Sequence, residues 1–449
     1  MTNMQKGLAI VLSLAVMLIA MLTIQNMQAI SQVDVNQANK EAVTIRQELL
    51  NGYADQIGSS IDDHVNEIFT ELSILRGLMQ TVIDQEETFM PLIEAMEDNP
   101  YFKDQLSYNG KWYQNVPEEP TAVTIHNYLV NPNGTIKEPA LRELALTRFQ
   151  DLFFPAFYDN GIQKQIVFYA GGVDAPFLRI TPWADLGTLF FTNYPGFVDT
   201  SIWDTFYPGL PDDYLQRLHD AGTEDRALND LLKVSPPVQD GLTGQLILTF
   251  EAPLFSPDRQ TFRGKVAFDI PIDDLVQLVE NVQIADGGFS FLAQSNGNVF
   301  AINQSGEELL GLGDVFENID VTGQGVGFNT LDRMLADSSI PQIQALQLPD
   351  STQPTYTSFQ YEGVAYTLIT KRLQPFLVWT PERHFHEESW VLGMVIPEEE
   401  TSQEGSGVDQ EMSDLIGSTT RLSWILLGLS VLLVGFFVFI MVRREKTSS

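Results

Sequence analysis

The sequence has no cysteine and few basic residues. Its 449 residues include 25 Lys and Arg against 59 Asp and Glu, with five His, for a net charge of −34. Without cysteine, disulfides, thiol catalysis and cysteine metal sites are excluded in any compartment. A surface this acidic repels the phosphate backbone, which excludes DNA and RNA as partners. The acidity could attract a cationic ligand, although adaptation to a salty exterior is the simpler explanation.

Motifs for common enzyme chemistry are also missing. The sequence has neither a G-x-S-x-G elbow for a serine nucleophile nor a glycine-rich phosphate loop. The one metal-like pattern is His384-x-His386 followed by Glu387 and Glu388, and solvent-facing polar residues before a strand explain it better. We therefore predict no catalytic residues, no metal site and no cofactor, and an ectoenzyme is the least favoured class.

Two long apolar runs are present, one near each end of the chain. Gly7 to Ile24 follows Lys6 without a charged residue, and Leu422 to Val442 is uncharged up to Arg443. Both runs are long enough to cross a bilayer core about 30 Å thick. No A-x-A site follows the first run, which favours a span over a cleaved signal peptide. The basic flanks predict two cytoplasmic termini and a large domain outside the inner membrane.

The chain between these runs is organised around residues 243–275. Leu246 to Phe250 and Gly264 to Ile270 are short apolar runs joined by a polar connection, a pattern that predicts two antiparallel strands. An acidic first turn and an apolar stripe predict a helix from residue 272. Asp269 is a lone carboxylate beside bulky apolar residues near the end of the second strand. A small sensory pocket could be built on such a unit.

A long helix is predicted before this stretch. From Ile45 to Val82, apolar residues recur at steps of three and four, which gives one continuous helical face. Gly52 and Gly58 weaken the pattern and predict a local bend. The helix either packs along its own domain or serves as the stalk of a homodimer, and different parts of its length can do each.

The remaining segments predict further strands around a long insertion. Residues 184–242 form a turn-rich segment with many aromatic rings, which either form pocket walls or fill the core. Residues 317–352 are polar and partly helical. A hairpin with an Asn-Gly turn is predicted at Phe289 to Ile302. Other predicted elements are a helix at Arg142 to Phe154 and strands at Val123 to Val130, Gln165 to Ala170, Phe177 to Ile180, Tyr356 to Tyr361, Val364 to Thr370, Phe376 to Trp379 and Trp390 to Ile396.

A series of motifs follows one another from residue 243 onward. They are TGQ-x-ILT-x-x-AP-x-F, F-x-GKVAFDI-x-x-D-x-L, GGFSFL, NGNVFAI and, near the end, SWVLGMVIP. This order resembles the double Cache sensor domains of bacterial transmembrane receptors, over roughly residues 30–397. The resemblance implies an α+β fold of two tandem PAS-like antiparallel-sheet modules on a long N-terminal helix, here flanked by two transmembrane helices.

The predicted organisation follows from the spans and the resemblance. Seven residues follow the second span, too few for a signalling domain, so we expect a separate signalling or transport protein as partner. The predicted segments are a cytoplasmic N-terminus at 1–6, a transmembrane helix at 7–24, a stalk or spine helix at 25–83, a membrane-distal module at 84–283, a membrane-proximal module at 284–397, an acidic linker at 398–420, a transmembrane helix at 421–442 and a cytoplasmic tail at 443–449.

The resemblance also implies binding residues. In amino-acid-binding members, the Arg of an R-x-W-Y motif binds the ligand carboxylate and a later Asp binds its ammonium group. Trp203 and Asp269 match the Trp and the later Asp, whereas Ser201 stands at the Arg position and Asp204 at the Tyr position. Without the guanidinium the bidentate carboxylate contact is lost. Because an aromatic face and a carboxylate both attract ammonium, an amine is favoured over an α-amino acid.

We therefore predict a membrane-anchored sensor that binds a small ligand in its membrane-distal module and signals through a separate protein. The alternative is a non-catalytic accessory ectodomain that stabilises a membrane complex without a soluble ligand. A cavity lined by aromatic rings and one Asp would favour the sensor, and a cavity filled by Trp203 and Phe206 would favour the accessory role. The candidate ligand-binding residues are Asp269, Trp203, Tyr207, Tyr169 and Asp204.

Overall fold

The computed structural model describes most of the region between the two apolar runs. It covers residues 3–95, 104–159, 161–194, 199–222, 225–241, 243–280, 287–313, 315–320 and 327–398, with the backbone alone for residues 3–42, 225, 226 and 280. Within the described part, no helix is long and apolar enough to cross a membrane. The predicted span at 421–442 lies outside the described residues, and the one at 7–24 falls where the backbone alone is described.

The chain divides into two compact units. One contains residues 1–53 and 397–449, and the other contains residues 54–396, which carry the strands discussed below.

The predicted long helix is α1, Asn3–Asp84. In residues 54–84 its buried residues keep the predicted three-four spacing, which confirms a helix packed along its own domain. The helix is continuous through Gly52 and Gly58, where we predicted a local bend. A Cβ at residue 58 would lie 3.1 Å from Leu373, so the glycine lets a strand approach the helix. The buried face comprises Ile57, Ile61, Val65, Ile68, Leu72, Leu75, Met79 and Val82.

The other helices and the strands alternate along the described chain. The helices are α2 Glu86–Ala95, α3 Glu138–Leu146, α4 Gln150–Tyr158, α5 Leu186–Asn193, α6 Ile202–Phe206, α7 Leu210–Ala221, α8 Asp225–Asn229, α9 Ile272–Glu280, α10 Gln304–Leu310 and α11 Pro341–Gln344. The strands are β1 Ser107–Tyr108, β2 Trp112–Gln114, β3 Ala122–His126, β4 Ile166–Gly171, β5 Leu178–Thr181, β6 Lys233–Val234, β7 Val238–Gln239, β8 Leu246–Phe255, β9 Phe262–Pro271, β10 Phe289–Ala293, β11 Val299–Ile302, β12 Phe316–Asp320, β13 Gly327–Leu331, β14 Thr355–Tyr361, β15 Val364–Thr380 and β16 His384–Pro397.

The strands form one sheet whose two halves repeat the same order. The first half runs β5-β4-β9-β8-β6, and the second runs β11-β10-β16-β15-β14. In the first half, β4 lies beside β9, flanked by the hairpins β4–β5 and β8–β9. In the second half, β10 lies beside β16, flanked by the hairpins β10–β11 and β15–β16. This repeat confirms the predicted tandem of antiparallel-sheet modules on a long helix.

Strand β6 joins the two halves. It pairs antiparallel with β8, where Lys233 lies opposite Glu251. On its other edge it pairs parallel with β15, where Lys233 lies opposite Leu377. This joint makes a single continuous sheet from two modules, and no pattern in the sequence predicted it.

The segment 184–242 is largely helical, although we predicted a turn-rich insertion. It carries α5, α6, α7 and α8 before β6 and β7. Pro211 lies at the start of α7, where its missing N–H leaves no helical hydrogen bond unmade. Asp212 and Asp213 lie in the same turn, where carboxylates favour the helix dipole. Pro208 and Gly209 do form a turn, and α7 begins directly after it.

Several smaller boundaries also differ from the predictions. The helix predicted at Arg142 to Phe154 is two helices, α3 and α4, because a 3-10 turn at Thr147–Phe149 separates them. The strand predicted at Val123 to Val130 ends at His126, where another 3-10 turn begins. Residues 317–352 are partly helical as predicted, with a 3-10 turn at Leu335–Asp337 and α11, but the antiparallel pair β12 and β13 also occupies part of the range.

We predict that Gly393→Ala destabilises the protein. Gly393 on β16 lies opposite Phe291 on β10, and a Cβ at residue 393 would lie 2.1 Å from Phe291 Cζ. Overpacking of this kind costs about 1–3 kcal/mol, measurable by thermal or denaturant unfolding. Gly77→Ala on α1 is the control: its methyl group would meet nothing within 4 Å, so a gain of about 0.5–1 kcal/mol is expected. An unchanged stability for Gly393→Ala would contradict the β10–β16 register.

Candidate ligand-binding site

A cavity of about 120 Å³, which we call the first cavity, lies against one face of the first half-sheet. Alternate residues of β4, β5, β8 and β9 form one wall, because side chains two apart on a strand share a face. Helices α5 and α6, the loop at Asp240 and Gly241, and β13 complete the enclosure. The wall is rich in aromatic rings, namely Phe168, Phe190, Tyr194, Phe206, Tyr207 and Phe328.

Asp269 provides a buried carboxyl group in this wall. Its side chain is 7% exposed, and Thr249, directly opposite on β8, donates its hydroxyl to Asp269 Oδ1 at 2.7 Å. Thr249 is the one hydrogen-bond partner that the described residues give to this carboxyl group. Burial raises the pKa of Asp269 from 3.8 to about 7; the hydrogen bond from Thr249 opposes this shift, and the charge of Asp240 adds to it. The carboxyl group is therefore poised to ionise near neutral pH.

Lys265 lies four residues before Asp269 on the same face of β9. Its ammonium group is 2.5 Å from Glu251 Oε2 and lies over the ring of Tyr207, 3.9 Å from the centroid. Burial lowers the pKa of Lys265, but the charge and hydrogen bond of Glu251, together with the electrostatic effects of Tyr207 and Asp269, raise it by more, so the net shift is upward. Lys265 is therefore held as a cation in the cavity wall.

Glu251 also binds a second lysine. Lys233 on β6 places its ammonium group 2.5 Å from Glu251 Oε1, and the hydroxyl of Tyr214 donates to the same oxygen at 3.2 Å. We call Lys233, Glu251 and Lys265 the lysine–glutamate triad. Burial raises the pKa of Glu251, but the two ammonium groups outweigh burial and lower it. Burial lowers the pKa of Lys233 to about 8, more than Glu251 raises it.

The structure brings together two of the five candidate residues. Asp269 and Tyr207 both line the first cavity. Trp203 is buried in the core, where its Nε1 donates to Gly171 O at 2.8 Å. Tyr169 faces the other side of β4 and donates its hydroxyl to Glu143 at 2.6 Å. Asp204 is exposed on α6 and does not line the first cavity.

The position that the resemblance assigns to an arginine has a different role here. Ser201 precedes α6, and its hydroxyl accepts a hydrogen bond from Trp203 N at 3.2 Å, which caps the helix. The described wall of the first cavity contains no arginine, and its cation is Lys265.

Sequence reasoning missed Lys265, Thr249 and Glu251. A signal for Lys265 was present, because a lysine inside an apolar strand and four residues before Asp269 must face the same way. Thr249 and Glu251 could be found only from the register of β8 against β9, which places Thr249 opposite Asp269.

No protein-family model matches this chain, and no curated protein matches it. Among solved structures, the ligand-binding domain of the Pseudomonas aeruginosa PAO1 amino acid chemoreceptor PctC in complex with GABA is 14% identical, covers 73% of this chain and 99% of that chain, and has a TM-score of 0.33. The Mlp24 ligand-binding domain with asparagine is 13% identical, covers 78% and 97%, and has a TM-score of 0.30.

A third match is the ligand-binding domain of the Pseudomonas fluorescens chemoreceptor CtaA with L-isoleucine, at 13% identity, 76% and 98% coverage and a TM-score of 0.30. All three matches are ligand-binding domains, and those of PctC and CtaA come from chemoreceptors. At these identities and TM-scores, they say nothing about what this chain binds.

We predict that Asp269→Asn is more stable than the wild type at about pH 8 and equally stable near pH 4. The folded state holds a proton on Asp269 up to about pH 7, whereas the unfolded state releases it near 3.8, so stability from this group is lost as pH rises between those values. The difference corresponds to at most ~4 kcal/mol. Thermal unfolding of both proteins across this range measures it. A stability difference that does not vary with pH would contradict a raised pKa for the buried carboxyl group of Asp269.

Proposed function

We propose that this chain is an extracytoplasmic sensor that binds a small molecule with an ammonium group in the first cavity. The observation that carries the proposal is Asp269, a buried carboxyl group in an aromatic-rich wall, to which the described residues offer one hydrogen bond, from Thr249. A buried carboxylate is costly unless it is paired. A ligand ammonium group pairs with it, and the faces of the surrounding rings favour a cation.

The charges of the cavity wall favour an amine over an α-amino acid. The charged residues that line the first cavity are Lys265, Asp240 and Asp269, two carboxyl groups against one ammonium group. Lys265 does not replace the missing arginine, because its ammonium group is already bound to Glu251 and covered by the ring of Tyr207. A ligand carboxylate therefore has no preorganised bidentate partner among the described lining residues.

The cavity is open rather than filled, which supports the sensor over the accessory ectodomain. Phe206 contributes to the wall, and Trp203 packs in the core against Phe262 with 5.1 Å between ring centroids. The remaining volume of about 120 Å³ has room for a small ligand.

We further propose that occupancy is passed through the second half-sheet to a separate signalling or transport protein. Tyr207 lines the cavity and its ring centroid lies 5.7 Å from Phe328 and 6.3 Å from Trp379 on β15. Trp379 Nε1 donates to Asp213 on α7 at 2.6 Å. A ligand that moves Tyr207 therefore affects contacts in both half-sheets. If the ligand binds one of two packing arrangements of these side chains more tightly by a few kcal/mol, it shifts their populations.

We predict that a small amine raises the thermal unfolding midpoint of the full-length protein in a concentration-dependent way. The panel contains amines, α-amino acids, organic acids and divalent cations. Asp269→Asn should abolish the amine shift, because it removes the charge that pairs with ammonium. Asp204→Asn is the matched control, since Asp204 is exposed outside the cavity. No shift with any compound at about 10 mM, well above the Kd of a specific site, would favour the accessory ectodomain.

The affinity for the amine should rise with pH and level off above about pH 7. Only the ionised carboxylate pairs with ammonium, and Asp269 in the free protein has a pKa of about 7. Below that value, Kd should weaken about tenfold for each pH unit. Isothermal calorimetry at several pH values measures this dependence, and a Kd that does not change with pH would rule out Asp269 as the partner.

A further inference from the structure

A second cavity of about 90 Å³ lies where the two half-sheets join. Its wall includes β6 and β8 of the first half, the β12–β13 pair, and the end of β15. It shares five lining residues with the first cavity, namely Phe206, Tyr207, Val238, Thr249 and Phe328. Its other walls are mostly apolar, with Ile319 and Trp379 among them. Its charged lining residues are Lys233 and Glu251, which are buried, and Glu382, which is exposed.

Lys233 is the buried group in this wall whose hydrogen bonding is incomplete. Its side chain is 2% exposed, and its ammonium group has three donors. Among the described residues it has one acceptor, Glu251 Oε1 at 2.5 Å. Glu251 already accepts from Lys233, Lys265 and Tyr214, which uses three of the roughly four acceptor sites of a carboxylate.

The charges of the lysine–glutamate triad do not balance. Two ammonium groups share one carboxylate, and all three side chains are buried. Lys265 has further stabilisation from the ring of Tyr207, whereas no ring face covers Lys233 in the part of the chain that the structure describes. Burying a cation with unmade hydrogen bonds is unfavourable, and an anionic acceptor removes that penalty.

We propose that the second cavity binds a small carboxylate, whose oxygens accept hydrogen bonds from Lys233 and whose apolar part packs against Phe328 and Trp379. The volume limits this ligand to an acid of a few carbon atoms. The site takes the opposite charge from the first cavity. Asp269 does not line the second cavity, so the two sites can be tested separately.

Titration of the full-length protein with propionate tests the proposal, with propionamide as the neutral analogue of the same shape. Propionate should raise the unfolding midpoint and propionamide should not. Lys233→Met should weaken the Kd for propionate ~10-fold or more, the effect of losing a hydrogen bond to a charged group. Asp269→Asn should keep the propionate response.

A second variant covers the case in which Lys233→Met does not fold. Thr330 lines the second cavity but not the first, and its hydroxyl donates to Glu317 O at 3.2 Å on the exposed β12–β13 pair. Thr330→Leu leaves the triad intact and fills the cavity, so it should also weaken propionate binding.

Three results would overturn the second site. The first is no propionate response in the wild type. The second is an equal response to propionamide, because Lys233 would then not recognise a charge. The third is a propionate response that survives Thr330→Leu and disappears in Asp269→Asn, which would place the carboxylate in the first cavity.

Discussion

The two cavities depend on one buried interaction, the carboxylate of Glu251 held between Lys233 and Lys265. The three side chains belong to β6, β8 and β9, and β6 also pairs with β15 across the joint between the half-sheets. Removing one partner of a buried ion pair leaves an uncompensated charge, which typically costs about 3–5 kcal/mol. The triad therefore constrains both the joint and the cavity walls, since Lys265 lines the first cavity and Lys233 the second.

Two carboxyl groups on neighbouring strands have opposite properties because their surroundings differ. Glu251 lies between two ammonium groups, which lower its pKa in spite of burial. Asp269 has a hydroxyl group as its partner, and burial raises its pKa to about 7. A permanently ionised Glu251 can organise the wall, whereas Asp269 can remain neutral in an empty cavity and ionise when a cation arrives. This division of roles is the physical basis of the proposed amine site.

Much of the fold was predictable from local patterns, because the apolar spacing of α1 and the paired apolar runs of β8 and β9 can be recognised in short continuous stretches of the sequence. The helices of residues 184–242 were not, since proline and glycine pairs there mark helix starts as readily as turns. The site was predictable only at Asp269 and Tyr207. Tyr169 follows Phe168, which lines the cavity. Because neighbouring residues on a strand point to opposite faces of the sheet, Tyr169 points away from the cavity. The triad depends on how β6, β8 and β9 pair, which no local pattern encodes.

The most direct test of Asp269 as the ligand's partner is an infrared difference spectrum of the full-length protein at about pH 6, recorded with and without the stabilising amine. At that pH the carboxyl group of the free protein is mostly protonated. We predict that amine binding removes a protonated carboxyl band and adds a carboxylate band, and that Asp269→Asn lacks both changes. A protonated carboxyl band that persists when the amine is bound would contradict the pairing of its ammonium group with Asp269.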